Sequence, residues 1–232
     1  MKYVIGDIHA NVRELERLLG ILSLQKGDSL IFLGDYINKL PDTRETLSLL
    51  SALKDEYACT FIKGNHEFVW DRYLNGKETT RQEFLLRYGG KEALHEYGED
   101  ATKALENNNI SAITHYLQPY LDLMQEMKDW LIVDEYIALH AGLSADQYAE
   151  SPLIFREENY FLRPKHIPVQ KKYLGRFVLV AGHTHLAEEP TVFPGYINID
   201  LGAGYGKYLG AYAIEKRMVI RSDGKTFPFI PS

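Results

Sequence analysis

The chain has one cysteine, Cys59, among its 232 residues, so no internal disulfide can form. This suits a reducing compartment, and Cys59, within the apolar run Cys59-Thr60-Phe61-Ile62, reads as a buried structural thiol. No apolar stretch approaches the ~20 residues of a membrane span. Asp7 interrupts the first apolar run too early for a secretory signal. Nor is there an excess of positive charge: 26 Lys and Arg stand against 32 Asp and Glu, a net charge of −6. That balance argues against non-specific binding to nucleic acid or an anionic membrane. It leaves room for an anionic substrate, because a bound metal reverses the local field. Repeats, low-complexity tracts and Ser/Pro linkers are missing as well. A cytoplasmic protein without nucleic-acid or membrane partners is expected, and composition leaves its oligomeric state open.

What is present is globular in balance: 45% hydrophobic and 25% charged residues. Short apolar runs at Tyr3–Ile5, Leu30–Leu33, Thr60–Ile62, Tyr136–Leu139 and Phe177–Ala181 read as buried strands. Helical spacing fills the gaps between the first three, through Val12, Leu15, Leu18, Leu19 and Leu22, then Thr46, Leu47, Leu49, Leu50 and Leu53. Asp42 and Glu45 have the spacing of a capping box. Strand–helix–strand–helix–strand predicts an α/β layered core with parallel pairing. From about His66 to Asp129 the chain is helical and more polar, and Ile110 to Met127 reads as one amphipathic helix. Thr191–Phe193, Ile197–Asp200, Leu209–Ile214 and Met218–Arg221 are strand candidates in a β-rich final third. One domain over 1–232 is expected, with a helical insertion at about 68–129.

Chemistry follows the strand-like runs. They lead into Gly6-Asp7-Ile8-His9, Gly34-Asp35, Gly64-Asn65-His66-Glu67, His140-Ala141-Gly142 and Gly182-His183-Thr184-His185. Ligand sites in open α/β sheets lie beyond the carboxyl ends of strands, so these residues belong at one sheet edge. Asp7 and His9, two apart on an extended segment, can point the same way. The donors are oxygen and imidazole nitrogen without thiolate, which suits manganese, iron or zinc better than calcium or magnesium. Asp35 can place one oxygen on each of two ions, and paired ions activate water and hold a phosphoryl group.

These motifs resemble the calcineurin-like metallophosphoesterases, and within them the phosphoprotein phosphatase branch with its small bacterial and phage serine/threonine phosphatases. The resemblance runs from Gly6 to about Gly204. It implies a layered α/β/β/α sandwich and two metal ions, manganese foremost with iron or zinc as alternatives. Asp7 and His9 would hold the first ion, Asn65, His140 and His183 the second, with Asp35 bridging. His66 would be the general acid, and Arg156 would clamp the phosphate with a bidentate fork. Asn65 and Lys39 complete the expected substrate contacts. The implied activity is hydrolysis of phosphate monoesters, including phosphoserine and phosphothreonine in proteins, by a metal-bound hydroxide. Hydrolysis of dinucleoside polyphosphates or phosphodiesters is the alternative, and a weakly active homologue that binds or regulates is a third reading.

Three departures stand out. The family's GDxxDRG reads Gly34-Asp35-Tyr36-Ile37-Asn38-Lys39-Leu40. Asn38 replaces the aspartate that pairs with the catalytic histidine; it can orient His66 but cannot stabilise imidazolium by charge. Lys39 replaces arginine, keeping the charge and losing the fork. His185 stands where phosphoprotein phosphatases often have proline, and in the wider superfamily a histidine there binds the first metal. Tyr205 and Tyr208 follow a strand and are candidates for the border of the site, whereas most of the 16 tyrosines read as packing.

Overall fold

Alternation along short strands builds two sheets. In β1 (Lys2–Ile5), Tyr3 and Ile5 face one core while Val4 faces another. In β2 (Ser29–Phe32), Leu30 and Phe32 divide from Ile31 in the same way. The period-two pleat lets one strand serve two cores. The computed structural model describes residues 1–76, 78 and 80–229.

The first sheet adds β3 (Ala58–Phe61), β9 (Gly210–Ala213), β10 (Met218–Arg221) and β11 (Thr226–Pro228) in the order β11-β10-β9-β1-β2-β3. Strands β1, β2 and β3 are parallel and β9 to β11 antiparallel. The second sheet is β4 (Trp130–Val133), β5 (Tyr136–Leu139), β6 (Val178–Ala181), β8 (Tyr196–Asn198) and β7 (Thr191–Phe193), in that order, with β5, β6 and β8 parallel. The sheets face one another across Val4, Ile31, Leu33, Tyr136, Ala138, Val178 and Val180.

Helices cover the outer face of the first sheet. They are α1 (Val12–Leu22), α2 (Thr43–Glu56), α3 (Asn65–Leu74), α4 (Arg81–Arg87), α5 (Gly90–Leu94), α6 (Glu99–Glu106), α7 (Ile110–Tyr116) and α8 (Gln118–Gln125). Leu85, Leu94, Leu105, Ile113 and Tyr120 from the helical middle share one apolar cluster with Tyr3, Phe32 and Phe61 of the sheet. The outer face of the second sheet, Ile137, Leu139, Leu179 and Ala181, is covered by Leu143, Ile167, Tyr173 and short 3-10 turns rather than by long helices.

Some local expectations change. Asp42 stands before α2 but makes no capping bond, and the nearby Arg44 N–H is taken by Glu96 at 2.6 Å. The Ile110–Met127 helix breaks at Leu117, because Pro119 opens α8 and cannot continue the previous turn. Strands β4 and β11 go beyond the predicted set. Cys59 is only half-buried, and burial pushes its thiol up to about 11.

Candidate metal centre

The carboxyl ends of β1, β2 and β3 in the first sheet and of β5 and β6 in the second deliver Asp7, Asp35, Asn65, His140 and His183 to one place, so the donors come from two facing sheets and not from the single sheet edge expected. The turns there are tight. His9, Asp35 and His183 have left-handed backbones, with φ of 51°, 53° and 68°. Such conformations cost of order 1–3 kcal/mol each in non-glycine residues and persist where surrounding contacts enforce them. His9 is therefore not on an extended segment; the bend after Asp7, rather than strand alternation, brings its ring back. A Cβ at Gly182 would collide with Asp7 Oδ1, so glycine is needed there.

One half of the site is a convergence of acceptors. His140 Nδ1 lies 2.8 Å from the Leu33 carbonyl, to which it must donate. Its Nε2 then carries the lone pair, and burial holds the ring neutral by pushing its pKa down to about 3. That lone pair lies 2.8 Å from Asn65 Oδ1, which is also 2.9 Å from His183 Nδ1. Asp35 Oδ1 adds a fourth acceptor, 3.5 Å from His140 Nε2. A cation among these atoms satisfies them together, so the residues fit a metal ion.

The other half gathers on Asp35 Oδ2, 3.3 Å from His9 Nε2 and 3.8 Å from His66 Nε2. His9 Nδ1 faces the Ile37 carbonyl at 3.2 Å, which directs Nε2 inward. The Asp7 carboxylate accepts from the His183 backbone N–H at 2.9 and 3.0 Å and lies 4.0 Å from His9 Nε2. One oxygen of Asp35 thus serves each half. Burial, followed by the neighbouring Asp200 and Asp35 charges, pushes the Asp7 carboxyl well up; burial pushes Asp35 to about 7. His9 and His66 are driven well below 6.5, by burial first and the Lys39 charge second. Cations in the site reverse this logic and favour ionised carboxylates.

Asn38 bridges His66 to Trp70. The Trp70 indole N–H, a donor only, reaches Asn38 Oδ1 at 2.9 Å. The Asn38 amide nitrogen therefore faces His66 Nδ1, at 2.6 Å. His66 accepts at Nδ1 and carries its proton on Nε2, toward Asp35. Phe84 of α4 packs against the ring, with centroids 5.4 Å apart.

Glu67, the last residue of the Gly64-Asn65-His66-Glu67 motif, holds the site's backbone. It accepts from the N–H groups of Asp35 (2.7 Å), Tyr36 (3.1 Å) and Gly64 (2.9 Å), and from the Tyr120 hydroxyl. Its place in Gly-Asn-His-Glu was the available signal. Asp200 was also missed, although it too follows a strand; it is buried beside Asp7 and accepts from the Gly202 N–H at 3.0 Å.

The expected substrate cations divide. Lys39 Nζ stands 2.7 Å from His9 Nε2, on the lone pair an ion would take, so it is at the centre and has to leave that nitrogen when His9 binds a metal. Arg156 is not brought there. Its guanidinium binds Asp146 at 2.6 Å and also Glu150, with Glu158 at 3.8 Å, and none of these belongs to the cluster. The competing carboxylates lie close in sequence and win it. Arg163 is instead near enough for its charge to help depress His183, behind burial and His140. Neither Asp7 nor His185 is in the two tightest groups, His9–Asp35–His66 and Asp35–His140–His183; Asp7 borders them through the His183 backbone N–H and His9, whereas His185 Nδ1 is 3.5 Å from the Asp200 carbonyl and its ring lies against Gly202 and Tyr205.

Two facing mixed sheets with Asp, Asn and His converging beyond their strand ends define a metal-dependent phosphoesterase. A family model described as calcineurin-like phosphoesterase matches residues 3–196, and the chain belongs to that family. It is 25% identical over 240 residues to a bis(5'-nucleosyl)-tetraphosphatase (asymmetrical) of Oceanobacillus iheyensis, covering 98% of this chain and 93% of that one. A Bacillus subtilis protein of the same description is 23% identical over 228 residues, covering 90% and 88%. Among solved structures, a cold-active protein-tyrosine phosphatase of a psychrophilic Shewanella species superposes with a TM-score of 0.61 at 15% identity, covering 97% of this chain and 79% of that one.

Proposed function

We propose that this enzyme hydrolyses dinucleoside polyphosphates at a two-ion centre. Asp7, His9 and Asp35 would hold one ion, and Asp35, Asn65, His140 and His183 the other. The donor set favours manganese, with iron or zinc as alternatives. When bound, the ions supply Lewis-acid polarisation of phosphoryl oxygens and an activated water.

The chain's own residues do the rest. Lys39 and Arg163 bring positive charge for the substrate's phosphate oxygens. His66 presents Nε2–H to the departing oxygen. Glu67 fixes the backbone that carries Asp35. Helices α4 and α8 supply Phe84 and Tyr120 to the same walls, so we read the whole chain as one catalytic domain.

The His66–Asn38–Trp70 chain carries the choice of substrate. With Asn38 donating to Nδ1, the His66 ring is held neutral and is a weak acid. A serine or threonine alkoxide needs a full proton in order to leave. A nucleotide phosphate leaves as a stable anion, so phosphoanhydrides lose least from a weak acid. The names of the full-length relatives point the same way.

The test is manganese-reconstituted protein assayed on diadenosine tetraphosphate and on a phosphoserine peptide. The expected kcat/KM is roughly a hundredfold higher for the dinucleotide, within the span general acids contribute. Faster hydrolysis of the peptide would overturn the choice and return the phosphomonoester reading.

A further inference from the structure

A 3-10 turn, Ala203–Tyr205, lies directly on the site. The Asn11 amide nitrogen holds the Ala203 carbonyl at 2.8 Å. A Cβ at Gly204 would sit 2.5 Å from His9 Cδ2 and 2.8 Å from Lys39 Cδ, and one at Gly202 would sit 2.8 to 3.1 Å from the His185 ring. Only glycine lets the backbone come this close. The turn is thereby pinned against one metal-ligand candidate and one phosphate-facing cation.

Tyr205 ends that turn and is not packed away. At 63% exposure it is more open than any other large hydrophobic side chain among the described residues. Its ring lies 5.6 Å from the His185 ring, tilted by 37°, and Lys39 Nζ sits 4.7 Å from its centroid. Lys39 therefore touches both the ring and, at 2.7 Å, His9 Nε2. A phosphate held by the centre and Lys39 would have an exposed aromatic surface beside it.

We infer that Tyr205 is a specificity-determining stacking platform for the nucleobase of a nucleotide whose phosphate lies at the centre. The inference rests on the dinucleoside polyphosphate reading and names how one of its nucleosides is recognised. A base has a π-face whatever its identity, so the platform favours nucleotides over plain phosphates and discriminates weakly among bases. Lys39 polarises the same ring and steadies its position.

The test is equilibrium binding of AMP and of ribose 5-phosphate, which differ only by the base, to manganese-loaded wild-type, Tyr205→Ala and Tyr205→Trp proteins. Wild type is expected to bind AMP roughly tenfold more tightly than ribose 5-phosphate, as base stacking on an aromatic side chain allows. Tyr205→Ala is expected to remove that preference and leave ribose 5-phosphate affinity and metal content unchanged; Tyr205→Trp should retain the preference. Equal affinities in wild type, or a preference that survives Tyr205→Ala, overturn the inference. Because no turnover is required, an AMP preference without dinucleotide hydrolysis removes the substrate reading and keeps the platform.

Discussion

The Asn38 amide nitrogen lies 2.6 Å from His66 Nδ1, and the Trp70 indole fixes that amide's orientation from the other side. Turning the amide to favour imidazolium would set two donors, the amide and the indole, against each other. Replacing Asn38 with aspartate removes the conflict, since a carboxylate accepts from both. Asn38→Asp is expected to raise turnover of a phosphoserine peptide roughly a hundredfold and to change dinucleotide turnover by only a few-fold. The sign in pH follows: a carboxylate raises the His66 pKa, so the acid form, and the alkyl-ester activity with it, persists to higher pH. A variant with unchanged pH–rate profiles on both substrates would show that His66 is not the proton donor.

Asp35 offers one oxygen to each half of the centre. Asp35→Asn keeps the shape and loses the charge that binds two cations. Metal analysis after dialysis is expected to show at least one ion lost, and turnover should fall by about a thousandfold or more. Two ions retained at full occupancy would remove the bridging role.

Arg163 and Arg156 make opposite predictions. Arg163→Ala should raise the KM for a phosphate substrate by roughly tenfold or more, in the range of charged hydrogen bonds to phosphate. Arg156→Ala should leave KM within about twofold, because its guanidinium is held by Asp146 and Glu150. Steady-state kinetics of the two variants decide it, and a larger effect at Arg156 would restore the role the motif suggested.

The metal-free protein should have a characteristic stability profile. Asp7, Asp35, Glu67 and Asp200 have raised carboxyl pKa values, about 7 for Asp35 and Glu67, with burial the leading cause in each. For Asp35 and Glu67 that contribution is complete below the unfolded value near 4 and is lost as pH rises through about 7, and the raised Asp7 and Asp200 act in the same direction. His9, His66, His140 and His183 are lowered, so their contribution is present above 6.5 and lost as pH falls, through about 3 in the case of His140. The two trends oppose between about pH 4 and 6.5 and leave a plateau. Melting temperature should therefore fall as pH rises above about 6.5, and added manganese should reverse that fall by binding the ionised carboxylates. Melts from pH 4 to 9 with and without manganese check it; a metal-free protein that gains stability between pH 7 and 8 contradicts the assignment.

Much of the site was readable because its residues sit just after short apolar runs. Gly6-Asp7, Gly34-Asp35 and Gly182-His183 each follow a strand whose end is marked by glycine. Asp200 also lies just past a strand, but no glycine precedes it and it reads as the last residue of the Ile197–Asp200 run, so no local signal marks it. Glu67 was visible in its motif, but its role depends on the N–H groups of Asp35 and Tyr36, more than 30 residues away. Arg156 shows the reverse error: its local pattern matched, and three nearby carboxylates hold it elsewhere.

The sequence by itself determined the strand–turn pattern, the nature of the donors and their place just past strand ends, because hydrophobic alternation and glycine turns act over a few residues; that two sheets rather than one share the site was decided by the tertiary packing. Only the tertiary structure decided what each donor faces. The Leu33 carbonyl that orients His140 is 107 residues away, and the Asn65 oxygen that meets His183 is 118 away. Tautomer, charge and access to substrate are set by such distant partners, because a buried polar atom takes its protonation state from whatever the fold brings within hydrogen-bond reach.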